Sequence, residues 1–313
     1  MSEANKDTLL EVQDLCMSFG KGSQKVDVLH NVSFNIKEGE TYGLVGESGS
    51  GKSTIGKCII GLNRLTGGSV RYDGMELAES YKNKEIRKKQ LEIQMIFQDP
   101  MSSLNPKKKV GEIIGSALDI QKVCSKNERE ERIKNTLVRV GIPPEYAGRY
   151  PGQFSGGQRQ RIGIARSLVL NPRLIIADEC IAALDASVQA QIVNMLKDIK
   201  KETKTSFLFI SHDLSMVRYL SDRIGVLHLG YLLETGKSDE LFKNPVHPYT
   251  KSLLEAIPGL HPLIPESKDA FYDYKTSGIK YEDGSWHDIT ETHKVWCTDR
   301  EFEKLWKKEG KVQ

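Results

Sequence analysis

The stretch Gly46-Glu47-Ser48-Gly49-Ser50-Gly51-Lys52-Ser53-Thr54 constrains this chain more than any other, because it dictates what stands on either side of it. It follows an apolar run, Tyr42 to Val45, and precedes residues that can begin a helix. The spacing is G-x-x-x-x-G-K-S. Glycines in such a loop let backbone N–H groups close around phosphate oxygens, Lys52 brings a point charge to the β- and γ-phosphates, and Ser53 offers a hydroxyl to Mg2+. The start of the following helix adds unpaired N–H groups and partial positive charge. A Gly/Ser-rich surface turn would supply the glycines without the flanking strand and helix. The loop therefore establishes a nucleoside triphosphate site, and by itself leaves GTPase, kinase, helicase and transport motor open.

Read in order, Leu10, Val12, Leu15, Met17 and Phe19 alternate as in a strand, and Val32, Phe34 and Ile36 do so again. After the loop, Ile55, Cys58, Ile59 and Leu62 recur at helical spacing, and Ser69 to Tyr72 gives another strand ending at Asp73-Gly74. Tyr81 to Gln90 is lysine-rich with little apolar period and reads as a solvated connector. Ile93 to Phe97 is a short strand ending at Gln98. From Val110 to about Leu170 the pattern is helical and interrupts the α/β core. Leu174 to Asp178-Glu179 is an apolar run closed by two carboxylates, the signature of a strand buried on both faces. Phe207 to Ile210 is a second such strand, ending at Ser211-His212-Asp213. Strands alternating with helices predict a parallel sheet with ligands at its carboxyl edge, where every chemical candidate falls.

Bulk properties narrow the function classes. At 313 residues the chain holds one large α/β unit plus an appendage. A formal charge of +3 argues against a dedicated nucleic-acid binder. The 5 cysteines are scattered without a C-x-x-C pair, which suits a reducing compartment and neither a disulfide framework nor a zinc site. No run approaches the ~18 apolar residues of a membrane span, so a membrane role is expected to be peripheral, through partners.

Five short motifs now stand in order: the Gly46–Thr54 loop, Gln98, Phe154-Ser155-Gly156-Gly157-Gln158, the strand ending in Asp178-Glu179, and His212. This set resembles the nucleotide-binding subunits of ATP-binding cassette (ABC) transporters over roughly residues 9–254. The resemblance implies a P-loop NTPase (RecA-like) parallel-sheet core, an N-terminal antiparallel β subdomain, an inserted helical subdomain over about 99–170, and a C-terminal extension over 260–313 beyond a nucleotide-binding domain of 1–259. Two such domains would close head-to-tail with ATP between them. By resemblance, Asp178 holds Mg2+ with Ser53 and Gln98. Glu179 is the general base or water-orienting group, which suits a hydrolysis governed mostly by positioning and charge. His212 reaches the γ-phosphate and holds Glu179, and Phe19 stacks on adenine. Ser155, Gly156, Gly157 and Gln158 present N–H groups to the nucleotide of the opposite subunit, and Asp185 lies on the dimer seam. Cys180 departs from the family's usual proline after the glutamate and reads as a small buried hydrophobe rather than a redox switch.

The segments Gln98-Asp99-Pro100-Met101-Ser102-Ser103-Leu104-Asn105-Pro106 and Asn244-Pro245-Val246-His247-Pro248-Tyr249-Thr250 are similar to stretches in ATPases of oligopeptide and dipeptide importers. That likeness implies a heterodimer with a paralogous ATPase on two membrane-spanning permease subunits, at the cytoplasmic face of the cell membrane, with an extracytoplasmic peptide-binding protein delivering cargo. Dipeptides, glutathione or nickel chelates are alternative cargoes, and a soluble cassette ATPase is the rival outside transport. All 3 tryptophans lie in the tail, which is expected to fold against something. His287, His293 and Cys297 read as packing and surface residues rather than metal ligands.

Overall fold

The computed structural model describes residues 7–77, 84–98, 104–122, 124–256 and 272–307. Two long strands, β1 (Thr8–Phe19) and β2 (Val26–Lys37), pair antiparallel. The chain then enters a second layer through β3 (Thr41–Val45) and α1 (Lys52–Ile59) before returning with β4 (Gly67–Tyr72) and β5 (Met75–Glu76). The outer layer is thus a four-stranded antiparallel sheet of order β2-β1-β4-β5. Leu10, Val12, Leu15 and Met17 of the expected alternation are buried, with a register shift between Val12 and Leu15, while Phe19 is exposed.

The lysine-rich stretch is a helix over its described part, α2 (Lys84–Gln90), and not a connector. Its lone apolar residue, Ile86, is buried, so a single anchor docks a face that shows no period. Residues 81–83 lie outside the described residues. Leu62 also departs from expectation: it falls beyond α1 and is exposed.

After β6 (Ile93–Ile96) come α3 (Val110–Gln121) and α4 (Lys126–Arg139), then α5 (Gly156–Leu168). Val110, Ile114 and Leu118 of α3 pack with Ile133 and Leu137 of α4 and Ile162 of α5 in one apolar cluster. Residues 99–103, at the start of the expected insertion, lie outside the described residues. The core resumes with β7 (Leu174–Asp178), α6 (Ala186–Thr203), β8 (Ser206–Ile210), α7 (Leu214–Leu220) and β9 (Arg223–His228). Antiparallel β10 (Tyr231–Lys237) follows, then α8 (Ser238–Lys243) and α9 (Pro248–Glu255). The tail adds the single turn α10 (Tyr274–Ser277), the hairpin β11 (Ser285–Asp288) and β12 (Lys294–Cys297), and α11 (Asp299–Lys307).

The central sheet has eight strands in the order β11-β12-β10-β9-β3-β8-β7-β6. Its five-strand block β9-β3-β8-β7-β6 is parallel throughout. Both faces are covered, so successive residues feed different cores: Leu174 and Ile176 of β7 join the cluster shared with the outer sheet, while Ile175 and Ala177 join the helical cluster. The tail does fold against something. β12 pairs with β10, Glu234 opposite Val295 and Thr235 opposite Lys294, and extends the central sheet itself. This is a P-loop NTPase fold with a mixed central sheet.

Candidate nucleotide site

The carboxyl ends of β3, β6, β7 and β8 bring the expected residues to one edge. β3 delivers the loop, whose Glu47, Ser48 and Gly49 are exposed while Gly46, Ser50, Gly51 and Lys52 are buried. Gly46 and Gly51 have φ of +151° and +106°, and a Cβ on Gly46 would meet the Leu227 carbonyl oxygen at 2.0 Å. Only glycine fits there. Gly51 is the N-cap of α1, with no side chain capping it, so the first N–H groups of the helix point at the loop's interior.

Lys52 Nζ donates to the Gly46 and Glu47 carbonyl oxygens, each at 2.8 Å, and stands 3.9 Å from Glu179 Oε1. Burial pulls its pKa down, opposed by the charges of Glu179, Asp178 and Glu47. The Ser53 hydroxyl donates to Asp178 Oδ1 at 2.7 Å. Asp178 is 4% exposed, and burial raises its pKa against the pull of the Ser53 hydrogen bond. Thr54, next on α1, is half-buried.

Glu179 is the hub. Gln98 Nε2 donates to its Oε2 at 2.9 Å, and His212 Nδ1 lies 3.5 Å from its Oε1. The residue itself sits at φ +43°, a left-handed conformation costly for a side chain of this size, with its N–H donating to the Ile210 carbonyl at 2.9 Å. That bond continues the β7–β8 ladder, and the left-handed backbone ends the strand there. Cys180 behind it is buried in the helical-side core, and burial pushes its thiol up to about 12.

Phe19 ends β1 and is 45% exposed, so it is no core residue. Ser155 N-caps α5 in a reciprocal capping box: Gln158 N–H donates to Ser155 Oγ at 3.3 Å, and Ser155 N–H donates to Gln158 Oε1 at 3.0 Å. These bonds close on the motif itself rather than on the chain's own loop, and Ser155 and Gly156 are exposed. A Cβ on Gly156 would meet nothing within 4 Å, whereas one on Gly157 would meet Val188 at 2.7 Å. The motif is thus packed from behind by α6 and open in front. Exposed Asp185 N-caps α6, accepting from Val188 N–H at 3.0 Å and from the Ser187 hydroxyl at 2.6 Å, which holds its pKa down.

Sequence reasoning missed the residues that brace the loop from β9, β10 and α9. Glu47 N–H donates to the Tyr249 hydroxyl at 3.0 Å, across 202 residues of chain. Gly230 N–H donates to the Ser50 carbonyl at 3.0 Å. Tyr249 belongs to the His-Pro-Tyr-Thr stretch, which in the sequence marks only a subfamily; no local pattern says what its hydroxyl touches. His293 is likewise committed to packing: its Nε2 lies 2.7 Å from buried Glu234.

Comparison with known proteins identifies the family. Residues 29–182 match the ABC transporter family, and residues 233–272 match the oligopeptide/dipeptide transporter C-terminal region. An oligopeptide transport ATP-binding protein OppF from Streptococcus pyogenes serotype M1 is 48% identical over 96% of this chain and 99% of its own length. The Bacillus subtilis (strain 168) OppF is 49% identical over 95% and 98%. A dipeptide transport ATP-binding protein, DppF of Lactococcus lactis subsp. cremoris, is 45% identical over 97% of each. Among solved structures, the ATP-binding cassette MJ0796 in a dimeric post-hydrolysis state with ADP and Pi superposes with a TM-score of 0.66 at 30% identity, covering 74% of this chain and 99% of that one. With near-complete coverage of relatives at this identity, the chain belongs to the ABC transporter ATPases, in the group of oligopeptide and dipeptide transport ATP-binding proteins.

Proposed function

We propose that this chain energises import of oligopeptides by hydrolysing ATP at Gly46–Thr54, paired head-to-tail with a paralogous ATPase. The observation that carries the reading is the convergence of Gln98, His212 and Lys52 on one carboxylate, Glu179, beside the Ser53–Asp178 pair. Glu179 takes or orients the proton of the attacking water, with Gln98 and His212 fixing its two oxygens. Lys52 leaves the loop carbonyls for phosphate oxygens, a better partner for an ammonium than a neutral carbonyl. The donors at Ser53, Asp178 and Gln98 are all oxygens with a single carboxylate, a set that suits Mg2+ shared with substrate phosphates. Bound there, Mg2+ would neutralise charge on the transferred phosphoryl group.

The open front of Ser155–Gln158 supports completion of each site by the opposite subunit. There the start of α5 would face the γ-phosphate, Phe19 would stack on the adenine, and Asp185 would line the seam. No helix among the described residues is long and apolar enough to cross a membrane. Attachment to the cytoplasmic face is therefore assigned to two permease subunits, contacted through the surface near Gln98–Pro106, with an extracytoplasmic binding protein supplying peptide. The DppF relative favours a second reading, dipeptides as cargo.

The test is Glu179→Gln in the assembled transporter. The variant is expected to bind MgATP as tightly as the parent, lose about a hundredfold or more in turnover, and accumulate closed dimers. Undiminished turnover removes Glu179 from the mechanism. Uptake of labelled di- and oligopeptides by cells lacking the chain, against complemented cells, separates the two cargoes.

A further inference from the structure

The peptide unit between Gly46 and Glu47 is held on both sides. Its carbonyl accepts from Lys52 Nζ at 2.8 Å, and its N–H donates to the Tyr249 hydroxyl at 3.0 Å. Because Gly46 carries no side chain and sits at φ +151°, little local steric resistance opposes rotation of this peptide plane. We infer that Tyr249 is a positioning residue for the nucleotide loop: its hydroxyl sets the orientation of the Gly46–Glu47 peptide, and the C-terminal hairpin holds that hydroxyl in place. This rests on the reading of Gly46–Thr54 as the triphosphate site.

Tyr249 is almost wholly buried, and two chains of contact run from it to the tail. One passes through its ring, which stacks on His228 with centroids 4.0 Å apart. His228 Nδ1 lies 2.8 Å from the Tyr281 hydroxyl, and Trp296 Nε1 donates to the Tyr281 carbonyl at 2.9 Å. The other passes through the backbone. Tyr249 N–H donates to His247 Nδ1 at 3.1 Å, while the Val246 and His247 N–H groups donate to the Glu234 carboxylate at 2.8 and 2.9 Å. His293 of the β11–β12 turn closes on the same carboxylate at 2.7 Å. Three segments distant in sequence thus hold the ring and backbone of Tyr249, whose hydroxyl has a loop amide as its only hydrogen-bonded contact among the described residues.

The proposal distinguishes ring from hydroxyl. Tyr249→Phe keeps the stack on His228 and takes from the Glu47 N–H its acceptor in the protein. In the assembled transporter the KM for ATP is expected to rise about three- to tenfold with kcat within about twofold, the scale of one part-buried hydrogen bond expressed in ground-state binding. An unchanged KM overturns the proposal. Hydrogen exchange of the unaltered protein gives an answer that needs no variant. The Glu47 amide should exchange at least about tenfold more slowly than that of Ser48, and equal rates overturn the proposal as well. Lys52→Ala is the control for the reading beneath: if it still binds ATP, the loop assignment fails; if it loses ATP while Tyr249→Phe is unchanged, only the positioning role does.

Discussion

Glu234 offers a measurable link between the tail and the stability of the whole chain. It is 0% exposed, and its carboxylate accepts from two backbone N–H groups at 2.8 and 2.9 Å and lies 2.7 Å from His293 Nε2. Truncation in Glu234→Ala strands three donors in a space too closed for bulk water. At about 1–3 kcal/mol for each buried group left unpaired, with partial relaxation, the loss is about 3–5 kcal/mol. For a chain of this size about 2 °C of melting temperature corresponds to each kcal/mol, so a drop of roughly 6–10 °C is expected. Glu234→Gln retains one acceptor but turns an amide N–H toward a donor, and should fall between the two. Because the Val246–His247 turn carries Tyr249, the ATP KM of Glu234→Ala should rise with that of Tyr249→Phe. The assay is thermal melting by circular dichroism at pH 7.5 without nucleotide, repeated with MgATP. A shift under 2 °C for Glu234→Ala would mean that water or another group satisfies the donors, and would refute the reasoning from burial.

Two further outcomes are expected. Burial lowers the pKa of His228 to about 4 and of His247 to about 3, so the unfolded chain holds more protons than the folded one below about pH 6.5. Stability should therefore fall as pH drops from 6.5 toward 4, by up to about 1.4 kcal/mol per pH unit for each histidine, against an opposing contribution from the raised Asp178. Denaturant midpoints that stay flat across that range in the wild type contradict neutral burial of the pair. Second, native alkylation at pH 8 should modify half-buried Cys16 and Cys124 and spare Cys58, Cys180 and Cys297, whose thiols burial pushes up to about 11, 12 and 12. Rapid labelling of Cys180 in the folded chain would contradict the packing described.

Much of the site is legible because its parts are local. A strand buried on both faces must read as an apolar run, and a carboxylate at its end stands out, which locates Asp178 and Glu179. Likewise the glycine spacing marks the loop before any tertiary contact is known. What the sequence hides is pairing at long range. Lys84–Gln90 is built of good helix formers but has no apolar period to announce a helix, because Ile86 alone anchors it. The brace on Glu47 is a hydroxyl 202 residues away, and the tail joins the sheet through only two opposed pairs, at Glu234 and Thr235. The direction in which Glu179 leaves its strand is hidden too, since a left-handed glutamate has no sequence signal and depends on the Ile210 carbonyl beside it.

The pairing of β12 with β10 also settles where the central sheet stops. Without the hairpin, the outward-facing backbone groups of β10 around Glu234 and Thr235 would stand open to another strand. With it, the outermost ladder belongs to the four residues Ser285–Asp288, whose Trp286 meets Trp296 of β12 edge to face. A chain cut before residue 285 is therefore expected to bare this part of β10 and to self-associate more readily than the full chain.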